Sequence, residues 1–412
     1  MEIHSCSCGR KHVCDVDAVY TGYGALSKLS ELTEGRKSVL IVADENTYNA
    51  FTSQGGSITH PRISRCVFPA TPLLIPDEKS LLSIENTMDG DTDIIIGIGG
   101  GTVNDLCKEI AYRKGLYYVY VATAPSMDGY ASDGAALILD GMKVTLKTAP
   151  PKVIICDTDI LKNAPIELIR AGVGDILGKY SCLNDWLLAA YVKGEYFCQR
   201  IYNEVMEATH KVAENLEKIL ARDGEAINLL THALIQVGIN MSYAGSSRPA
   251  SGSEHHLAHF FEIYSLEHGQ AHRPHGIDVG EASYYTALLR DAVLQTEAPF
   301  NFSFDEEPYF AAVKLLLPRA AEGIVELQRE TALHGNENGN YDLDGIKDVL
   351  KKAPRADAVR KMLQKAGLSA DEIIKFYGSD TVKNALRYGK ELKDRFTALW
   401  LYEYLGWEIL DI

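Results

Sequence analysis

The chain has 412 residues, 46% of them apolar and 24% charged, and carries a formal net charge of −15. This is the composition of a folded globular protein. It excludes a disordered, collagen-like or coiled-coil chain and, by bulk charge, a basic nucleic-acid binder.

The length suits about two or three domains, and two are expected. Residues 1–14 (MEIHSCSCGRKHVC) have no basic stretch followed by an apolar run, and no later segment reaches ~18 uninterrupted apolar residues. A soluble cytoplasmic protein with no membrane insertion and no nucleic-acid partner is therefore expected. Cys66, Cys107, Cys156, Cys182 and Cys198 stand scattered among apolar neighbours and read as reduced, mostly buried thiols. Cys6, Cys8, His12 and Cys14 form a C-x-C-x₃-H-x-C cluster. That spacing would suit a soft metal such as zinc, although C-x-C is tighter than the usual C-x₂₋₄-C, and a surface-packed tail without an ion fits it as well.

From about residue 13 to 157 the apolar runs are short and β-rich: 38–44 (SVLIVAD), 93–98 (DIIIGI), 117–122 (YYVYVA) and 152–157 (KVIICD). Such continuous runs suit parallel strands buried on both faces, with crossover helices at 75–88 and 104–114. Residues 135–139 and 142–147 flank Asp140-Gly141, which predicts a β-hairpin. After about residue 160 long helical patterns follow one another at 175–192, 202–222 and 225–241. The stretches 301–308 and 331–344 read as loops. The expected architecture is an α/β, Rossmann-like nucleotide-binding domain over 1–160, followed by an all-helical metal- and substrate-binding domain over 161–412.

Residues 97–105 (GIGGGTVND) lie between a strand and a helix, where glycines let backbone amides approach a pyrophosphate and the helix N-terminus favours its charge. The run is not G-x-G-x-x-G, and a tight turn without ligand explains it equally well. Asp44 ends the first clear strand, placed either to accept hydrogen bonds from an adenosine ribose or to cap the next helix. Residues 122–133 (ATAPSMDGYASD) form a small-residue loop leaving a strand; Asp128 and Ser132 there are candidates for substrate or nicotinamide, or simply turn residues. Of twelve histidines, His255, His256, His259, His268, His272 and His275 share one window. Together with a carboxylate such as Asp175, in the glycine-rich run 171–178, they could hold a cation, but the pattern does not choose the ligands.

GIGGGTVND, TAPSMDGYASDGA, AGVGDILGK, SRPASGSEHHLAH and HRPHGIDVG, in this order, resemble the sn-glycerol-1-phosphate dehydrogenases, bacterial branch. These are members of the superfamily of glycerol dehydrogenase, iron-containing alcohol dehydrogenase and dehydroquinate synthase. The resemblance spans roughly residues 13 to 404 and implies a dehydroquinate synthase-like fold. It also implies a divalent metal, zinc or nickel, held by Asp175, His255 and His275, with His256 an adjacent rival to His255. By the same resemblance Gly99, Gly100, Gly101, Thr102, Asp105, Thr123, Ser126 and Ser132 line NAD(H) or NADP(H), Asp44 takes the adenosine ribose, and Asp128 lies beside the substrate. The implied reaction is reduction of dihydroxyacetone phosphate to sn-glycerol 1-phosphate by a homodimer or larger assembly. The resemblance thus implies a catalytic set of Asp128, Asp175, His255 and His275. Arg248 is the first candidate for the substrate phosphate, ahead of Arg273, Lys179 and Lys147. Gly172 and Gly174 are read as packing residues. One departure is Asp278, where a glutamate or glutamine more often follows the His-Gly pair. The rivals are a polyol dehydrogenase on an unphosphorylated substrate and a dehydroquinate-synthase-like cyclase.

Overall fold

The computed structural model describes residues 1–140, 142–297, 304–331, 333–335 and 342–404. Among the described residues there are ten strands: β1 (Glu2–Ile3), β2 (His12–Val13), β3 (Ala18–Gly22), β4 (Val39–Asp44), β5 (Ile63–Phe68), β6 (Ile94–Gly99), β7 (Tyr117–Ala122), β8 (Gly134–Leu139), β9 (Met142–Lys147) and β10 (Val153–Asp157). Six of them make one parallel sheet in the order β3-β10-β7-β6-β4-β5. The four strands whose sequences are unbroken apolar runs take the inner positions, because only there are both faces covered. Val39, Ile41, Ile94, Ile96, Ile98, Val119, Val121 and Ile155 pack with Leu29, Phe51 and Ile160 in one core. The edge strands β3 and β5 are half exposed and carry polar residues, which is why no apolar run marks them.

Strand order reverses between β4 and β6. The chain leaves β4 for the edge at β5, then returns to β6 on the other side of β4. Such a switch point opens a crevice at the carboxyl ends of the strands. The register pairs Ala43 with Ile98, so Asp44 and Gly99 end neighbouring strands at that crevice.

The hairpin forms as expected, β8 pairing antiparallel with β9. Asp140 has a φ of 51°, the left-handed value that the first residue of a tight hairpin turn needs; Gly141 lies outside the described residues. Of the expected loops, 301–303, 332 and 336–341 also lie outside them, and 333–335 is a short 3₁₀ turn.

Two of the expected helical spans are broken. The span 175–192 is two helices, Ile166–Leu177 and Lys179–Lys193, meeting at Gly178. A Cβ there would lie 2.7 Å from Cγ1 of Val279, so this is a point of close helix approach. The span 202–222 divides at Asn215 into Gln199–Glu214 and Leu216–Leu220. The helix Gly224–Ala244 is capped by Asp223, whose side chain accepts from the Ala226 amide at 3.0 Å, and ends on Gly245 at a φ of 66°.

The chain divides into two compact units, Met1–Gly172 with Glu214–Ser246, and Val173–Ala213 with Ser247–Ile412. The second has its own core, built on Leu188, Ala189, Val293, Ile346, Leu350, Phe396, Trp400 and Leu401. Among the described residues no helix is long and apolar enough to cross a membrane.

Candidate nucleotide and metal sites

In the first unit, β6 runs into the helix Gly101–Lys114 through Gly99 and Gly100. Gly99 is there for packing, since a Cβ would meet the Val103 side chain at 2.6 Å. Gly100 faces open space, with nothing within 4 Å of a Cβ. Gly101 lies under the Met127 side chain, which flexes. The open side of this turn therefore presents the first amides of a fourteen-residue helix, the geometry that accepts a phosphate group. Thr102 lies in that first turn, and the Thr123 amide donates to the Gly99 carbonyl at 3.1 Å, tying the end of β7 to the turn.

Asp44 caps the helix Glu45–Ser53 in a capping box. Its Oδ1 accepts from the Asn46 and Thr47 amides at 2.9 and 3.0 Å, and Oδ2 accepts the Thr47 hydroxyl at 3.1 Å. A carboxylate has about four acceptor positions, so capping leaves acceptor capacity at the edge of the crevice.

The loop between β7 and β8 is held by a residue that sequence reading missed. Lys108 is fully buried, and its Nζ donates to the Gly129 carbonyl (2.6 Å), the Gly134 carbonyl (3.0 Å) and the Ser132 hydroxyl (3.2 Å). Burial pushes its ammonium pKa down, against the pull of Asp105, Asp133 and Asp128. Asp105 lies 3.7 Å from Lys108, and burial pushes its carboxyl up to about 6 despite that charge. Ser126 bonds the Tyr130 hydroxyl through its amide (3.0 Å) and Oγ (2.9 Å), and Tyr130 donates to the Ala124 carbonyl at 2.5 Å. Asp128 is buried at the head of the 3₁₀ turn Gly129–Ala131. Gly172 packs on the same loop, since a Cβ would overlap the Pro125 carbonyl.

In the second unit, Asp175, His255 and His275 are brought together. One ligand atom of each lies within 4.8 Å of the others, with His255 Nε2 3.6 Å from Asp175 Oδ1. Three helices supply them: Ile166–Leu177, Ser253–Glu267 and His275–Gln295. Glycine makes the crossing possible. A Cβ on Gly174 would overlap the Gly276 carbonyl, and one on Gly280 would lie 2.7 Å from the Gly174 Cα, so two backbones touch one residue away from Asp175 and His275.

His255 is oriented from behind. His255 Nδ1 donates to Glu254 Oε1 at 2.7 Å, which leaves the Nε2 lone pair facing Asp175. Glu254 Oε1 also accepts the Gly252 amide at 3.1 Å, and burial raises the Glu254 carboxyl pKa. Asp185 fixes the same helix start, accepting the Ser253 amide at 2.7 Å and the Ala398 amide at 2.8 Å. Burial, followed by the Lys179 charge, holds the His255 pKa well below the ordinary value, so its imidazole is neutral and fit to ligate. Burial alone would raise the Asp175 carboxyl, but Lys179, His255 and His275 hold it below the usual carboxylate range. The donor set is one carboxylate and two imidazoles with an oriented tautomer, and it fits a divalent metal.

The other histidines separate clearly. His259 packs edge-on to His255 and stacks with His275 at ring centroid distances of 5.9 and 5.3 Å, flanking the triad. His256 is fully buried and outside the donor group, and neither of its ring nitrogens has a hydrogen-bond partner among the described residues. His268 and His272 are exposed.

The structure leaves little of Arg248 for a phosphate. Its Nε donates to Glu195 Oε1 at 2.5 Å, one Nη donates to Glu195 Oε2, and the other donates to the Phe396 carbonyl at 3.0 Å. Arg273 pairs with Glu281 at 2.6 Å, and Lys179 with Asp175 at 2.7 Å. Lys147 ends β9 on an exposed position. Sequence reading also passed over Arg395. It donates to Ser247 Oγ (3.1 Å) and the Ser251 carbonyl (3.2 Å), its Nε has no partner among the described residues, and its charge acts on both His255 and His256.

Residues 20–165 match the family described as iron-containing alcohol dehydrogenase. The chain is 34% identical over 301 residues to a glycerol-1-phosphate dehydrogenase, NAD(P)+, of Halalkalibacterium halodurans, covering 71% of this chain and 74% of that one. It is 30% identical over 397 residues to the enzyme of the same name from Bacillus subtilis, covering 93% and 90%. An iron-containing alcohol dehydrogenase structure from Thermococcus thioreducens aligns with a TM-score of 0.59 at 15% identity, covering 96% of this chain and 100% of that one. A sulfoacetaldehyde reductase from Bifidobacterium kashiwanohense, solved with NAD+, also gives 0.59 at 15% identity, covering 96% and 98%. At that identity the two structures speak to the fold. The parallel sheet and helical unit are thus the dehydroquinate synthase-like fold of the NAD(P)-dependent iron-containing alcohol dehydrogenases. Within that class the chain belongs to the glycerol-1-phosphate dehydrogenase family.

Proposed function

We propose that the chain catalyses the metal-dependent, NAD(P)H-linked, reversible reduction of dihydroxyacetone phosphate to sn-glycerol 1-phosphate. The observation that carries the reading is the convergence of Asp175, His255 and His275 on one point within one unit, alongside its family membership. A divalent ion held by these three, zinc or nickel, would supply Lewis-acid polarisation of a carbonyl and stabilise negative charge on its oxygen.

The remaining work falls to the chain itself. The Gly99–Gly101 turn gives a pyrophosphate room and helix amides, and Asp44 accepts ribose hydroxyls through its spare acceptor positions. Thr102, in the first turn of the helix Gly101–Lys114, and Thr123, Ser126 and Ser132, on the chain that leaves β7 for the loop Lys108 holds, line the nicotinamide half. Asp105 supports the same loop as the counter-charge of Lys108. Asp128, buried on that loop, is the candidate to bind a substrate hydroxyl and pass a proton. The substrate phosphate needs a local cation in a chain of net charge −15. With Arg248 committed to Glu195, we assign that contact first to Arg395 and keep Arg248 as its support.

The test removes metal from the protein, restores zinc or nickel separately, and follows NADH and NADPH loss with dihydroxyacetone phosphate and with dihydroxyacetone. Turnover of the phosphorylated ketone only when metal is restored is expected, and turnover of the unphosphorylated ketone alone overturns the reading. Assembly as a dimer or larger, read by light scattering, is part of the same proposal.

A further inference from the structure

The N-terminal cysteine cluster is absorbed by neither site. β1 and β2 are two residues each and pair antiparallel, with Glu2 opposite Val13 and Ile3 opposite His12. The Met1 ammonium donates to the Cys14 carbonyl at 2.7 Å, and the Cys14 amide to the Met1 carbonyl at 2.9 Å, closing the base. At the tip the Gly9 amide donates to the Cys6 carbonyl at 3.0 Å, with Gly9 at a φ of 79°. This tight turn brings Cys6 and Cys8 to the same place as His12. One ligand atom from each lies within 4.8 Å of the others, and Cys8 Sγ is 3.4 Å from His12 Nε2.

The imidazole is oriented as a ligand would be. His12 is fully buried, and its Nδ1 donates to the Tyr243 carbonyl at 2.8 Å. The neutral ring then carries its lone pair on Nε2, on the side of the sulfurs. A ring nitrogen held by a backbone carbonyl, with the other aimed at soft donors, is the usual support of a metal-bound histidine. Cys14 does not take part: its buried thiol is engaged by the Val16 backbone and the Ser242 side chain. Of the four residues that stand together in the sequence, Cys6, Cys8 and His12 come together in space and Cys14 does not.

We propose that Cys6, Cys8 and His12 bind one soft divalent ion, zinc in first place, as a structural site additional to the Asp175, His255 and His275 triad. Two thiolates and a neutral imidazole would neutralise a divalent ion and leave the fourth tetrahedral position to a further donor. Binding displaces two thiol protons to solvent and changes no oxidation state. A hairpin with two-residue strands is marginal by itself, and a metal clip across its tip would hold it.

The test uses the full chain, stripped with a chelator under reducing conditions and titrated with cobalt(II), then with zinc. The Asp175 triad has no sulfur, so a thiolate-to-cobalt charge-transfer band reports only on a cysteine site. The band is expected to saturate by two equivalents, the Asp175 triad taking up cobalt without a band of its own, to be bleached by zinc, and to vanish in Cys6→Ser/Cys8→Ser. Alkylation of the unaltered chain, mapped by mass spectrometry, decides the matter even if that variant folds poorly: zinc is expected to slow labelling of Cys6 and Cys8 at least tenfold. No band, a band that survives in the double variant, equal labelling with and without zinc, or a Cys6–Cys8 disulfide under these conditions would overturn the proposal.

Discussion

Lys179 Nζ lies 2.7 Å from Asp175 Oδ1, one helical turn away, and both side chains are fully buried. The ammonium also donates to the Ala250 carbonyl at 3.0 Å, so it is fixed beside the carboxylate proposed to bind metal. Lys179 thus neutralises Asp175 when no ion is bound and repels an ion when one arrives. Lys179→Met removes both effects. Leaving a buried carboxylate without its partner costs about 3–5 kcal/mol, and a divalent ion would restore most of that. The expected result is a metal-free protein with a much lower Tm and a metal-induced rise in Tm larger than in the unaltered chain. An equal or smaller rise would show that Lys179 is not the counter-charge of this site.

Glu254→Gln tests the orientation of His255. Glutamine keeps the volume and can still accept from Gly252, but it loses the charge that holds Nδ1–H. Loss of such outer partners typically weakens metal affinity by about 10- to 100-fold. Chelator competition on the folded variant should show a loss in that range, with unfolding midpoints of the metal-free proteins close together. An unchanged affinity would mean that His255 is oriented by other contacts.

Gly174→Ala places a methyl on the Gly276 carbonyl, backbone against backbone, where neither side can move cheaply. Overpacking of this kind costs about 1–3 kcal/mol or more. Because the displaced helices carry Asp175 and His275, the metal site should suffer more than the fold. Metal content after dialysis should drop sharply while circular dichroism stays near that of the unaltered chain. A variant that keeps its metal would separate the helix crossing from the site.

Lys108→Met addresses the nucleotide half. The change leaves the Gly129 and Gly134 carbonyls without their charged donor and frees the loop that carries Ser126, Asp128 and Ser132. Hydrogen bonds to charged groups contribute about 1.5–3 kcal/mol, so the KM for the nicotinamide nucleotide should rise roughly tenfold or more. Metal content should not change. A higher KM for the ketone alone would place the effect of Lys108 on the substrate.

What the sequence made legible follows from burial. β4, β6, β7 and β10 are inner strands, and a strand covered on both faces must be written as an unbroken apolar run. β3 and β5 stand at the edges, where Tyr20, Ser64 and Arg65 satisfy the geometry as well as apolar residues would, so no run marks them. Asp175, His255 and His275 emerged through resemblance and meet in space. The residues that support them did not emerge, because support is a matter of contact. Glu254 reads as an ordinary helix-start acid until its Oε1 is seen on His255, and Lys108 as an ordinary surface lysine until its amine is seen under the loop. Arg248 shows the converse. Its place beside the histidine run suggested a phosphate ligand, but Glu195, 53 positions earlier, takes its guanidinium.

Asp278 should leave a signature in stability against pH. It is buried one turn beyond His275, with Arg273 3.6 Å from Oδ1, Tyr377 donating to Oδ2 at 2.7 Å, and the negative Glu281 and Glu262 nearby. Burial pushes its carboxyl up to about 7, further than Tyr377 and Arg273 can pull it down. In the unfolded chain the same carboxyl titrates near about 3.9. Between those values the folded state binds more proton than the unfolded state, so this group's contribution is present at acid pH and is lost as pH rises towards about 7. The slope is at most about 1.4 kcal/mol per pH unit. Asp278→Asn removes the titration while keeping a partner for Tyr377. Urea unfolding at a series of pH values from 5 to 8 should therefore show stability falling less steeply in the variant than in the unaltered chain. Parallel curves would mean that Arg273 and Tyr377 keep Asp278 ionised throughout, and that the acid at this position serves as a fixed negative charge behind His275.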